Sequence, residues 1–171
     1  MMPELVRKMR TQLDQWHEAG LVFFPMDPAG WGPEDTLEGQ AYRLVYHSYE
    51  NRHTEEIVQT ISDDVIAMKN YRQGILHNRG RNEAMEALDR MFCGLQKGTG
   101  EWHSETLASI LDRMTVLHLK KLHALVEAPQ RVPLLQEQAN FLADYAGHLY
   151  DDMLAGRRRC IWFIRLKLFN K

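Results

Sequence analysis

Apolar positions recur every three to four residues along most of the chain, and no stretch alternates with period two over a useful length, so the pattern predicts an all-α fold. Val6, Met9, Leu13 and Trp16 mark a first amphipathic helix over residues 3–19, opened by Pro3 and closed by Gly20. Residues 21–38 concentrate Pro25, Pro28, Gly30, Gly32 and Pro33 and read as a loop that Trp31 pins to the body. Helical character resumes from about Pro33 and runs to Ile61, with Ile57, Val58, Ile61 and Val65 expected on a buried face. Ser62 is the expected cap of a third helix that reaches about Leu95 and turns Ala84, Met85, Leu88, Met91, Phe92 and Leu95 to the core. Gly74 and Gly80 weaken that helix, each by on the order of 1 kcal/mol. The Gly-rich residues 96–103 read as a loop, and Ser104 as the N-cap of a central helix that ends near Glu127, before Pro129. Pro133 then opens a last long helix, with Leu134, Leu135, Phe141, Leu142, Tyr145, Leu149 and Met153 as its apolar positions up to Gly156. Residues 157–171 form an apolar C-terminal tail, expected to pack on the bundle or on a partner. The sum is an antiparallel four- to five-helix bundle in a single domain.

Composition narrows the function classes more than it names one. At 171 residues and 44% hydrophobic content the chain can bury one substantial core. Its 21 basic and 23 acidic residues give a net charge of -2, so no global attraction to nucleic acid or to an anionic membrane is expected. Arg157, Arg158 and Arg159 are too few for a basic tract. No apolar run approaches the roughly 20 residues of a membrane span, and the charged start lacks the apolar segment of a secretory signal. A soluble, cytoplasmic protein is the expectation. Cys93 and Cys160 stand far apart in sequence, in neither a zinc nor a redox pattern, and read as reduced thiols.

Three constellations could carry chemistry. On a wheel of the central helix, Glu105, Ser109, Asp112, Val116, Lys120 and His123 form one stripe opposite Ile110, Met114 and Leu117. That stripe reads either as a solvated face or as the wall of a cleft. The third helix carries Asn78, Asn82 and Asp89 on one side, flanked by Arg81 and Glu86. Asn is a poor helix former, so a ligand or a structural hydrogen-bond network is the expected reason for the pair. On the second helix Tyr49, His53 and Glu56 share a side, and Glu50-x-x-His53 is half of a di-metal carboxylate pattern. Its nearest complement is Asp144 and His148, with Asp152 a turn on. Together these would make a ferritin-like metal-dependent oxidase, but the pattern is incomplete, so no residue is assigned as a metal ligand and no cofactor is named. His118 and His123 lie five apart and share no face. Nucleophile-elbow, P-loop, dinucleotide and zincin motifs are absent from the sequence.

Four stretches in order, HTEE at 53–56, NRGRNEAMEALD at 78–89, SETLASILDRMTVLHLKKLH at 104–123 and RLKLFN at 165–170, resemble the bacterial family called domain of unknown function 4254. Two departures stand out: Arg52 where the family tends to have Trp before the His, and Leu107-Ala108 where it tends to have Pro-Gly after Glu-Thr. The resemblance implies a mainly helical fold and points to His53, Glu55, Glu56, Asn78, Arg81, Asn82, Glu86 and Asp89. It also points to Glu105, Thr106, Ser109, Asp112, Arg113, Lys120, Lys167 and Asn170. Its context is bacterial surface-sugar or specialised biosynthesis, and it implies no reaction.

Residues and resemblance together predict a polar site between the second, third and central helices for an anionic or polyhydroxylated small molecule. His53, Glu56, Glu105 and Asp112 are the candidate proton-transfer groups, and Asn78, Arg81, Asn82, Ser109, Arg113 and Lys120 the candidate ligand contacts. The competing expectation is a non-catalytic accessory protein whose stripes are structural and whose C-terminal apolar segment docks on a second copy or another protein.

Overall fold

The structure, a computed structural model, describes residues 1–97 and 100–160. Five helices account for most of it: α1 (Met2–Glu18), α2 (Leu37–Thr60), α3 (Asp64–Leu95), α4 (Leu107–Glu127) and α5 (Val132–Leu154). A short parallel pair, β1 (Glu101–His103) and β2 (Arg158–Cys160), joins the two ends of the α4–α5 segment. The all-α bundle expected from the pattern is therefore present, with a minimal sheet where a loop and a tail were expected. The part of the expected tail beyond Cys160, with Lys167 and Asn170, lies outside the described residues. No helix among the described residues is long and apolar enough to cross a membrane.

α2 sits at the centre. Over residues 39–50 every α2 residue is buried except Arg43 and His47, which are half-buried, so cover surrounds the helix there. α2 packs most extensively on α3, and α4 on α5. Gly80 lets α3 approach closely, because a Cβ there would lie 2.4 Å from the His47 ring. The cost of that glycine to the helix is offset by this contact.

Buried hydroxyls on α2 hold the chain between α1 and α2 in place. Tyr49 Oη donates to the Leu21 carbonyl at 2.9 Å, Tyr46 Oη to the Phe24 carbonyl at 2.8 Å, and the Asp27 amide donates to Tyr42 Oη at 3.0 Å. Trp16 of α1 packs into the same cluster, with ring centroids 5.0 Å from Phe24 and 5.4 Å from Tyr49. Trp31 is buried, as expected, and its indole donates to Gln12 Oε1 at 3.0 Å.

Several boundaries and faces differ from the sequence reading. α2 begins at Leu37 rather than near Pro33, because Thr36 takes the cap and accepts from the Gly39 amide. Asp63, not Ser62, caps α3 by accepting from the Val65 and Ile66 amides. Thr106, not Ser104, caps α4 through the Ser109 amide. Val65 is 80% exposed, Leu95 is exposed and Met91 only half-buried, since the ends of the long α3 overhang the bundle. Leu134 and Phe141 of α5 are exposed as well. The two cysteines, distant in sequence, meet in space: Cys93 Sγ lies 3.8 Å from the Cys160 carbonyl. Burial pushes both thiols up, Cys160 to about 11, which keeps them protonated and unreactive.

Burial also sets a pH response. His47 is pushed down to about 4 by desolvation, with His77 and Arg43 adding to the effect and Glu83 opposing it. Its Nδ1 lies 3.3 Å from Nδ1 of His77, itself lowered by burial. The unfolded chain, with histidines near pH 6.5, takes up these protons first, so stability is full above about pH 6.5 and falls as pH drops through about 4. Urea midpoints measured from pH 7.5 to 4 should fall on acidification, and His47→Gln should remove part of that slope.

Candidate functional site

The residues singled out in the sequence do not converge on one point. They occupy three places along α4, each set by what faces that turn.

Nearest the N-terminus of α4, Glu105 is the hub. Ser109 Oγ donates to its carboxylate at 3.0 Å and Arg113 Nη1 pairs with it at 2.8 Å, so three stripe residues brace one another along a half-buried edge. Asp89 of α3 accepts from the Ala108 amide at 3.1 Å and adds a second cap to the helix start.

In the middle of α4, Asp112 is buried and meets Arg81 of α3 in a fork, with both nitrogen–oxygen distances 2.5 Å. The contact, first of all its hydrogen bond, holds the Arg81 guanidinium above its usual pKa, against the opposing effect of burial. Arg81 also stands between two concave surfaces. On one side is a groove of about 390 Å³ between α2 and α3, lined by the amides of Asn51, Gln59, Asn70 and Asn78 with Glu55 and Tyr71. On the other is a cleft of about 670 Å³ walled by α4 and α5, where Asp112, Arg113 and Lys120 face Leu134, Glu137 and Phe141.

Towards the C-terminal end of α4, His123 meets α2 and α1. Its Nδ1 is 2.8 Å from Glu56 Oε1, and His53 Nδ1 is 3.4 Å from Glu56 Oε2. The His123 ring centroid is 5.7 Å from those of both His53 and His17. Burial lowers the pKa of His53 and His123, while Glu56 partly offsets this.

The ten predicted site residues thus divide. Arg81, Asp112, Arg113 and Lys120 share the α4–α5 cleft, and Asn78 joins Arg81 on the α2–α3 groove. Glu105 and Ser109 brace Arg113, whereas His53 and Glu56 belong to the third place. Asn82 is half-buried on α3 and lines neither of those cavities. The stripe of α4 is not a solvated face over its middle: Asp112 is buried and Val116 half-buried. The groups imagined for a ferritin-like centre are not assembled. Glu50 is buried and accepts from the Phe24 amide at 3.4 Å, and Asp144 and His148 line a separate cavity between α1 and α5 with Arg10. Two contributors escaped the sequence reading. His17 sits at the end of α1 and shows no pairing signal, whereas Glu127 stands one turn beyond His123 and was findable from that spacing.

The three arginines after α5 are taken up locally: Arg157 with Asp152 at 2.7 Å, Arg158 with Glu101 at 2.9 Å, and Arg159 over the Trp102 ring at 4.1 Å.

Because Asp112 is buried and forked to Arg81, truncating it strands a guanidinium. Asp112→Ala should lower unfolding free energy by about 3 kcal/mol, with Asp112→Asn losing less, as read from urea denaturation at pH 7.

Comparison with curated proteins returned no match, and comparison with solved structures returned none either. A family model does match, over residues 38–161, which spans α2 to α5 and all three places described above. The chain belongs to the DUF4254 family, proteins of unknown function.

Proposed function

We propose that the protein binds, and in a bacterial biosynthetic setting acts on, an anionic small molecule held in the cleft between α4 and α5. The carrying observation is the lining of that cleft. Arg81, Arg113 and Lys120 outnumber Asp112 and Glu137, and they stand opposite Leu134 and Phe141, which are left 57% and 66% exposed. Arg81 is occupied by Asp112 and Arg113 by Glu105, so both are pre-oriented, while Lys120 has no ion-pair partner among the described residues. A carboxylate, phosphate or sulfonate meets the cations while an apolar body covers Phe141 and Leu134. The amide-lined groove on the far side of Arg81 offers hydroxyl-binding groups for a longer, polyhydroxylated ligand. Asp112, between them, is engaged at both oxygens by Arg81 and holds that guanidinium in place for the ligand.

A second reading, an accessory protein that docks on a partner, is favoured by α3. Val65, Met68, Tyr71, Ile75 and Leu76 are more than half exposed at helical spacing, an apolar strip on the overhanging part of that helix.

Binding of 8-anilinonaphthalene-1-sulfonate, a sulfonate on an apolar ring system, separates the two. Under the cleft reading, fluorescence titration saturates at one dye per chain and the double variant Arg113→Gln, Lys120→Gln weakens binding roughly tenfold or more. Dye binding that ignores this variant but falls with Met68→Ser and Leu76→Ser, which line neither cavity, belongs to the α3 strip and rejects the cleft.

A further inference from the structure

The third place on α4 has a defect that hydrogen bonding does not cure. Arg52 Nε, His53 Nε2, Glu56 Oε1 and His123 Nε2 are all buried polar atoms without a properly directed hydrogen bond, and they belong to one cluster. The close pairs among them, 2.8 Å from His123 Nδ1 to Glu56 and 3.0 Å from Arg52 Nε to the same oxygen, are near in distance but misaligned. Leaving such atoms unsatisfied is unfavourable, and an unplaced ion is among the standard reasons for it.

The donor geometry suits a cation. Ligand atoms around a tetrahedral metal at about 2.1 Å lie about 3.4 Å from one another. Here His123 and Glu56 approach to 2.8 Å and His53 and Glu56 to 3.4 Å. Ligand atoms of Glu56, His123 and Glu127 all fall within 4.8 Å of one another, the group among the described residues with metal-compatible spacing. The side chains of His53 and His123 are each only 12% exposed, so the pocket wall is fixed, whereas Glu127 is exposed and free to close over it. We propose that Glu56, His123 and Glu127 form a binding site for one divalent transition-metal ion, with His53 and His17 alongside as further imidazoles.

Imidazole with carboxylate selects the zinc, iron and manganese class rather than calcium, which takes oxygen alone. The neutral imidazole is the form that ligates, so binding weakens as pH falls. Arg52 is the competitor. Its guanidinium holds Glu56 Oε1 at 3.0 Å, and at 30% side-chain exposure it has room to swing outward when a dication arrives. The site is independent of the anion cleft, which shares none of these ligands.

The test uses tag-free full-length protein stripped with EDTA, then titrated with Co²⁺ and Zn²⁺, with retained metal counted after desalting. One ion per chain is expected, with visible Co²⁺ bands reporting nitrogen and oxygen ligands. His123→Gln and the exposed Glu127→Gln should each weaken binding at least tenfold and His148→Gln should not, while Arg52→Gln should strengthen it. Thermal melts of each variant separate loss of ligand from loss of fold. The proposal is overturned if neither wild type nor Arg52→Gln retains stoichiometric metal. It is also overturned if retention is indifferent to His123→Gln and Glu127→Gln, or is lost equally with His148→Gln.

Discussion

The structure depends on a helix that has no solvated side. Over residues 39–50 α2 is covered by α1, α3, α4 and the chain that links α1 to α2, so polar groups there depend on partners inside the protein. The three tyrosines meet that demand by bonding backbone atoms of Leu21, Phe24 and Asp27. One result is that an otherwise irregular connection is pinned at three points spaced along a single helical face. Trp16 fills the space among the rings and ties α1 to the same cluster. Glu50 is the costly member: buried, and raised in pKa by desolvation that the backbone amides of Phe24 and Phe23 only partly offset.

The face that carries Tyr42, Tyr46 and Tyr49 continues at helical spacing to His53 and Glu56. Where the tyrosines end, the ring contact between Tyr49 and His53, with centroids 4.5 Å apart, hands the face over from packing to ionisable chemistry. The positions of the candidate ligands are therefore inherited from a rigid aromatic stack rather than from a loop. The Arg81–Asp112 fork does the corresponding work between α3 and α4, fixing a guanidinium at the boundary of two cavities.

How much of this the sequence could disclose follows from what periodicity reports. It reports which side of a helix is apolar, so α1, with Val6, Met9, Leu13 and Trp16 all buried, and α5 from Pro133 onward were legible. It does not report which helix lies in the middle. α2 is buried on all sides, so its tyrosines and its buried Ser48, Glu50 and Thr54 leave no single apolar stripe, and its importance was invisible. Overhang is hidden too: Val65 and Leu134 sit in apolar patterns that the fold leaves uncovered. The Thr106 cap lies two residues from the expected Ser104 because both are good caps and only the path from β1 selects between them. Pairing of β1 with β2 joins residues more than fifty positions apart, beyond any local signal. For the candidate residues, the α4 stripe was legible as a line but not as three environments, since Glu105, Asp112 and His123 differ in what stands opposite them and not in spacing.

Charge bookkeeping around Glu56 shows why that last environment is poised rather than settled. Arg52 and two imidazoles converge on one carboxylate, and Glu127 stands within reach from α4. Two carboxylates face one guanidinium and leave an excess negative charge, half-buried at Glu56 and screened by water at the exposed Glu127. Arg52 neutralises only part of it, and in a geometry that leaves its own Nε unsatisfied. A dication would balance both carboxylates and release Arg52 to water, while engaging the Glu56 oxygen that the present contacts leave unsatisfied. The same residues read as a misaligned ion-pair cluster without such an ion and as a satisfied polar centre with one, and it is the unsatisfied Glu56 Oε1, 2.8 Å from His123 Nδ1, that distinguishes the two.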